Sequence, residues 1–227
     1  MEDKKKRKNK DTFVSPKKDE GQNAHKPKTE MKFAERRNEI LESLKKHLDT
    51  KRYMHTIGVA YTATSLAMRY EIDIQKAELA GLLHDCAKYE TDEWKLSRCE
   101  KYGIELNLWE RKNPALIHAK LGAYYTEHRY GIEDEEIISA VRKHTTGSPD
   151  MTMLEKIIYV SDYIEPGRKM LLHLPQIRKM AFTDIDEAIY MIAGDTLNYL
   201  SADSENIDPM TEETFRYYEG IHKEKNL

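Results

Sequence analysis

The chain has few cysteines, few tryptophans and no long apolar run. Its two cysteines, Cys86 and Cys99, make neither a C-x-x-C metal motif nor a disulfide framework. A reducing, cytoplasmic setting is therefore expected. No stretch approaches the roughly 20 apolar residues that a membrane-spanning helix requires, and no apolar segment follows the charged N-terminus as it would in a secretory leader. Period-two alternation of β-branched residues, the mark of a half-buried strand, is hard to find, and no internal repeat stands out. What remains is a 227-residue chain, 39% hydrophobic and 34% charged. That composition suits a soluble globule with a substantial core.

Charge is unevenly spread. Residues 1–30 hold ten Lys or Arg against six Asp or Glu, net +4, and the other 197 hold 27 against 34, net −7. The run Lys4-Lys5-Lys6-Arg7-Lys8 and the scarcity of large apolar residues predict a disordered basic tail over residues 1–32. Such a tail offers contact with nucleic acid or an anionic membrane surface, although a plainly solvated tail is the simpler reading.

From Phe33 the pattern becomes helix after helix. Apolar residues at Phe33, Ile40, Leu41, Leu44 and Leu48 recur at helical spacing. Asp49 or Thr50 reads as the N-cap of a second helix over residues 51–70, and a third is expected over 74–84. Further helices are expected over 92–102, from Pro114 to Tyr130, and over 133–144, 152–165, 177–180, 185–200 and 212–221. Residues 33–222 thus read as a single all-α domain.

On those helices the histidines and acids fall on core-facing stripes. His55 shares a side with Gly58, Val59 and Thr62, His84 continues Ala77, Ala80 and Gly81, and His118 leads Leu121, Gly122 and Tyr125. His144 follows Ile137 and Val141, and Asp162 follows Leu154 and Ile158. Asp85, next to His84, is rotated by about 100° from it. A single inward histidine is usually a hydrogen-bonded core residue. Five helices each delivering such a group are different, because buried unpaired imidazoles and carboxylates are costly. A shared metal centre satisfies all of them, and four His with two Asp suit one or two first-row transition metals. Cys86, among apolar and anionic neighbours, reads as packing. His128 reads as a solvated rim position, His25 belongs to the tail, and His47, His173 and His222 sit among charges or loops. Trp94 and Trp109 read as packing more than as a lid.

The set His55, His84-Asp85 and Asp162 resembles the H…HD…D signature of HD-domain phosphohydrolases, and His118 and His144 resemble the additions of its binuclear members. The phrases around them, Lys143-His144-Thr145-Thr146-Gly147 and Ser161-Asp162-Tyr163-Ile164-Glu165-Pro166 above all, are similar to the bacterial YqeK family over roughly residues 33–221. That resemblance implies an HD-domain helical bundle and symmetrical hydrolysis of dinucleoside tetraphosphates, such as diadenosine tetraphosphate to two ADP. It implies a metal-activated hydroxide, a binuclear centre of iron, with manganese also suited, and a homodimer. It also implies Asp85 as the bridging carboxylate, with His55, His84 and Asp162 on one metal and His118 and His144 on the other. Lys88, three residues past Asp85, is a candidate catalytic cation for the phosphate chain. Arg52, Arg168 and the hydroxyls of Thr145 and Thr146 are further candidate substrate contacts. Two alternatives stand beside this reading: an HD phosphohydrolase of mononucleotides, deoxynucleoside triphosphates or cyclic dinucleotides, and a non-catalytic nucleotide-sensing protein.

Overall fold

A computed structural model describes residues 33–201 and 207–227, so the basic tail expected over 1–32 lies outside the described residues. Among the described residues eleven α-helices follow in order: α1 Phe33–His47, α2 Thr50–Arg69, α3 Ile74–Leu83, α4 Asp92–Tyr102, α5 Leu108–Lys112, α6 Ile117–His128, α7 Glu135–Lys143, α8 Met153–Ile164, α9 Leu174–Ala181, α10 Ile185–Leu200 and α11 Pro209–Lys225. No strand occurs among the described residues.

Side-chain caps fix where most of these helices begin. Asp49 accepts from the Arg52 amide at α2, Asp73 from Gln75 and Lys76 at α3, and Thr91 from Trp94 at α4. Thr152 and Glu155 form a reciprocal capping box at α8. The helix expected from Pro114 to Tyr130 is divided. Pro114–Leu116 forms one 3₁₀ turn, with the Asn113 side chain accepting from the Ala115 amide, and α6 starts only at Ile117. The short α5 and the full lengths of α9 and α11 exceed the sequence expectation, and α11 runs past residue 222 to Lys225.

The helices α2, α3, α7 and α8 form one packed group, with α6 against α7, α10 against α8 and α11 against α10. Their shared interior holds Leu66, Leu82, Leu83, Leu121, Ile138, Ile157 and Ile158, all fully buried. Each such side chain contributes about 1.5–3 kcal/mol of hydrophobic stabilisation. The approach of α2 to α3 is set by Gly81, where an added Cβ would meet the Ala60 Cα at 2.8 Å. Close packing there brings the C-terminal end of α3 alongside the first half of α2. His84 and Asp85 leave α3 facing His55.

Candidate metal centre

Four histidines and two aspartates from five helices converge. His55 comes from the second turn of α2, His84 and Asp85 from the turn ending α3, His118 from the first turn of α6, His144 from the C-cap of α7, and Asp162 from the last turn of α8. His55, His84 and Asp162 form one group of mutually close donor atoms, and Asp85, His118 and His144 form a second, each within 4.8 Å. Asp85 faces both. Its Oδ2 lies 3.5 Å from His84 Nε2 and 3.9 Å from His55 Nε2, while its Oδ1 lies 3.2 Å from His118 Nε2 and 3.6 Å from His144 Nε2. Asp162 Oδ1 lies 3.0 Å from His55 Nε2 and 3.9 Å from His84 Nε2.

The outer nitrogens of the rings explain why the inner ones converge. Nδ1 of His84, His118 and His144 each meets the carbonyl oxygen three residues earlier, on Gly81, Ala115 and Val141, at 2.6, 2.5 and 2.7 Å. Donation to a carbonyl places the proton on Nδ1 and leaves the Nε2 lone pair aimed inward. His55 is different, because it sits in the second turn of α2 and its Nδ1 meets Glu165 Oε1 at 3.1 Å. The buried Nε2 atoms of His55 and His84 have no hydrogen-bond partner, the 3.0 Å approach of Asp162 to His55 being out of hydrogen-bonding alignment. Orphaned imidazole nitrogens beside carboxylates are the donor set that a transition metal accepts.

Electrostatics prepare the same groups. Burial alone would raise the Asp85 carboxyl, but the imidazoles of His84, His118 and His144 outweigh it and hold it well below the usual carboxylate range. Burial also works against ionisation of Asp162, and His55, His84 and Arg168 overcome it. His118 is lowered to about 4, by burial first and by Lys88 and His144, so at neutral pH its imidazole is uncharged. Burial pushes the Cys86 thiol up to about 12, which leaves it a packing residue beside the site.

The candidate substrate cations point into the cluster. Arg52 Nη1 lies 2.6 Å from Asp85 Oδ2, and Arg168 Nη2 lies 2.5 Å from Asp162 Oδ1. Lys88 Nζ is nearly equidistant from the two His118 ring nitrogens, at 3.1 and 3.2 Å. The α3 helix does not persist to carry it; a tight turn with Lys88 N bonded to Asp85 O does so instead. Thr145 Oγ1 sits 3.2 Å from His144 Nε2 and 3.3 Å from His118 Nε2. Thr146 turns its hydroxyl to the Gly147 carbonyl, and its own carbonyl accepts from Thr214. The other histidines lie elsewhere: His128 is exposed and stacks on Tyr124, His47 meets Arg129, and His173 and His222 pair with Asp195 and Glu187. His25 lies outside the described residues. Trp94 packs against the core beneath the Arg98 guanidinium.

Glu165 is the residue that sequence reasoning left without a role. It is 3% exposed, its Oε2 accepts from the Gly167 amide at 2.5 Å, and Arg178 holds its backbone carbonyl at 2.9 Å. Gly58 makes room for it: a Cβ there would come within 2.6 Å of Glu165 Oε2.

An all-helical bundle that gathers imidazoles and carboxylates at its helix ends in the order H…HD…H…H…D has the form of an HD-domain metallohydrolase. The family model described as "HD domain" matches residues 52–167, a span holding all six convergent side chains. The chain is 39% identical to the symmetrical bis(5'-nucleosyl)-tetraphosphatase of Bacillus subtilis, over 80% of this chain and 96% of the relative. It is 42% identical to the enzyme of the same name from Halalkalibacterium halodurans, over 79% and 95%. A crystal structure described as a predicted HD superfamily hydrolase involved in NAD metabolism, from Clostridium acetobutylicum, superposes with a TM-score of 0.78 at 37% identity, covering 81% of this chain and 97% of that one. The chain belongs to the HD-domain superfamily and, within it, to the family of the symmetrical bis(5'-nucleosyl)-tetraphosphatases.

Proposed function

We propose that this protein hydrolyses dinucleoside tetraphosphates symmetrically, converting diadenosine tetraphosphate and water to two ADP. The observation that carries the reading is Asp85, whose two oxygens face separate groups of donors, in a chain whose relatives bear that activity in their names. His55, His84 and Asp162 would hold one metal ion, His118 and His144 the other, and Asp85 both. Iron is the metal we favour, with manganese able to take its place. When bound, such a pair supplies Lewis acidity toward phosphoryl oxygens and acidifies water.

The chain's own groups do the rest. Lys88, whose pKa is lowered by burial against the pull of Asp85 and Asp162, offers a short-range cation to the phosphate chain. Arg52, Arg168 and Thr145 surround the same space and orient that chain. The oxygen of water bonds to one of the two central phosphorus atoms. The bond from that phosphorus to the oxygen it shares with the other central phosphorus breaks, the second nucleoside diphosphate departs with that oxygen, and the protons of the water pass to solvent. The reading includes a homodimer in the cytoplasm; no helix among the described residues is long and apolar enough to cross a membrane.

Metal analysis of purified protein, coupled to product identification from diadenosine tetraphosphate, tests the proposal. ADP as sole product, lost in Asp85→Ala with helical content retained, is the expected result. AMP plus ATP would refute symmetrical cleavage, and preferential turnover of mononucleotides would move the chain to another HD activity.

A further inference from the structure

A cavity of about 400 Å³ adjoins the His118 and His144 side of the cluster. Its wall includes Ala119, Lys143 and Thr145, the chain neighbours of those two histidines, and Thr145 Oγ1 lies within 3.3 Å of both their Nε2 atoms. The cavity and the metal centre therefore share a side chain. The rest of its apolar lining comes from Trp109, Leu116, Pro209 and Met210.

Trp109 has no evident structural purpose. Trp94 packs against the hydrophobic core, whereas Trp109 is half-buried and lies outside both the core and the residues packed on it. The five-residue helix that carries it is nonetheless held firmly. Asn107 and Glu110 cap each other at its start, Asn107 Nδ2 donates to Asp208 at 3.0 Å, and Lys120 Nζ donates to Glu110 Oε2 at 2.8 Å. A buried carboxylate with this many partners fixes the indole at the cavity wall. Arg142 stands at the rim and, among the described residues, has no ion-pair partner. An apolar chamber of this size, joined to a phosphate-handling centre and edged by an unpaired cation, suits a nucleoside.

We propose that this cavity receives the nucleoside end of one half of the substrate, with the base stacked on the Trp109 indole. The inference rests on the phosphate chain lying at the metal cluster, as the proposed function has it. It also carries a statement on specificity. Asn107 Oδ1 accepts from the Glu110 amide, Asp208 Oδ1 from the Met210 amide, and Glu110 Oε2 from Lys120 and the Asn107 amide. The polar groups of Asn107, Glu110 and Asp208 next to Trp109 are thus engaged within the protein, so at the indole the base is held by its face. Adenine and guanine nucleotides should be accepted alike.

The test uses the metal-loaded full chain with Trp94→Phe, which leaves Trp109 as the sole indole. ADP and GDP should each quench its emission saturably, and inorganic pyrophosphate, which has no base, should not. In the otherwise unaltered chain Trp109→Ala should raise KM for diadenosine tetraphosphate roughly 5- to 100-fold, the scale of losing one base–aromatic stack. The kcat should hold nearly constant, and Trp109→Phe should recover most of the loss. Unchanged emission under ADP at concentrations where equilibrium dialysis detects binding would overturn the proposal, as would an unchanged KM in Trp109→Ala. If the chain cleaves no dinucleoside tetraphosphate, the proposed function fails, and the fluorescence result still decides the cavity.

Discussion

Each convergent imidazole depends on what holds its other nitrogen. Three of the four are fixed by a carbonyl one turn back, which the helix ends supply without any special residue. His55, in the second turn of α2, has no such carbonyl free and takes a carboxylate from Glu165 instead. A carboxylate partner fixes the ring tautomer as a carbonyl does, and it also makes the inner nitrogen a stronger donor. Glu165→Ala should therefore weaken binding at the His55 side by about 10- to 100-fold. Metal stoichiometry should fall from two toward one per chain, and Glu165→Gln should sit between the two. Gly58→Ala, by pushing the carboxylate aside, should reproduce the loss, and the double variant should lose little more than either alone. Full additivity would mean that Glu165 acts through general stability. Five of the six convergent side chains were legible in the sequence because helical periodicity put each on an apolar stripe; Asp85, rotated off the stripe of His84, was legible only from its place in the His-Asp doublet. Glu165 was not, because it stands beyond the end of α8, in the extended conformation that Pro166 imposes, and no periodic pattern tells where such a residue points.

Helix ends carry most of what the sequence made readable. Asp49, Pro114 and Gly103 mark boundaries that the structure keeps to within a few residues, since caps and left-handed termini have strict residue demands. Helix α5 escaped because five residues hold too little periodicity, and α9 was cut short because its apolar positions Leu174, Ile177 and Ala181 are sparse. One contact between elements has a pH consequence. Glu155 caps α8 and, 2% exposed, also receives Lys143 Nζ at 2.7 Å and the Ser139 hydroxyl, both from α7. Burial would raise its carboxyl, but Lys143, Ser139 and the Thr152 amide outweigh that and hold it below the ordinary glutamate value. A carboxyl lowered on folding gives stability that is fully present above its unfolded pKa and is lost as pH falls through the folded value. Glu155→Gln should thus be less stable than the unaltered chain at neutral pH, with the two melting temperatures approaching each other as the solution is acidified. A constant difference down to low pH would mean that the carboxyl does not link the two helices.

At the scale of the molecule the cluster is a tie among α2, α3, α6, α7 and α8, the helices that also enclose much of the core. Among the described residues no disulfide joins these elements, since Cys86 and Cys99 are both free and buried. The donors come from positions as far apart as His55 and Asp162, so they are assembled only in the folded chain. An ion they bind is thereby linked to folding. At a free concentration 100 times its dissociation constant, one such ion adds about 2.7 kcal/mol. For a chain of this size that corresponds to roughly 5–10 °C in Tm. A chelator should lower Tm by that amount without abolishing the cooperative transition, because the packed interior does not depend on the ion. Adding back manganese or ferrous iron should restore it, and Asp85→Ala should show little response to either addition. An unchanged Tm in a preparation whose activity the chelator has removed would separate the two roles: the ion would serve the chemistry alone, and the helices would be held together by packing and by the Arg52–Asp85 pair between α2 and the turn after α3.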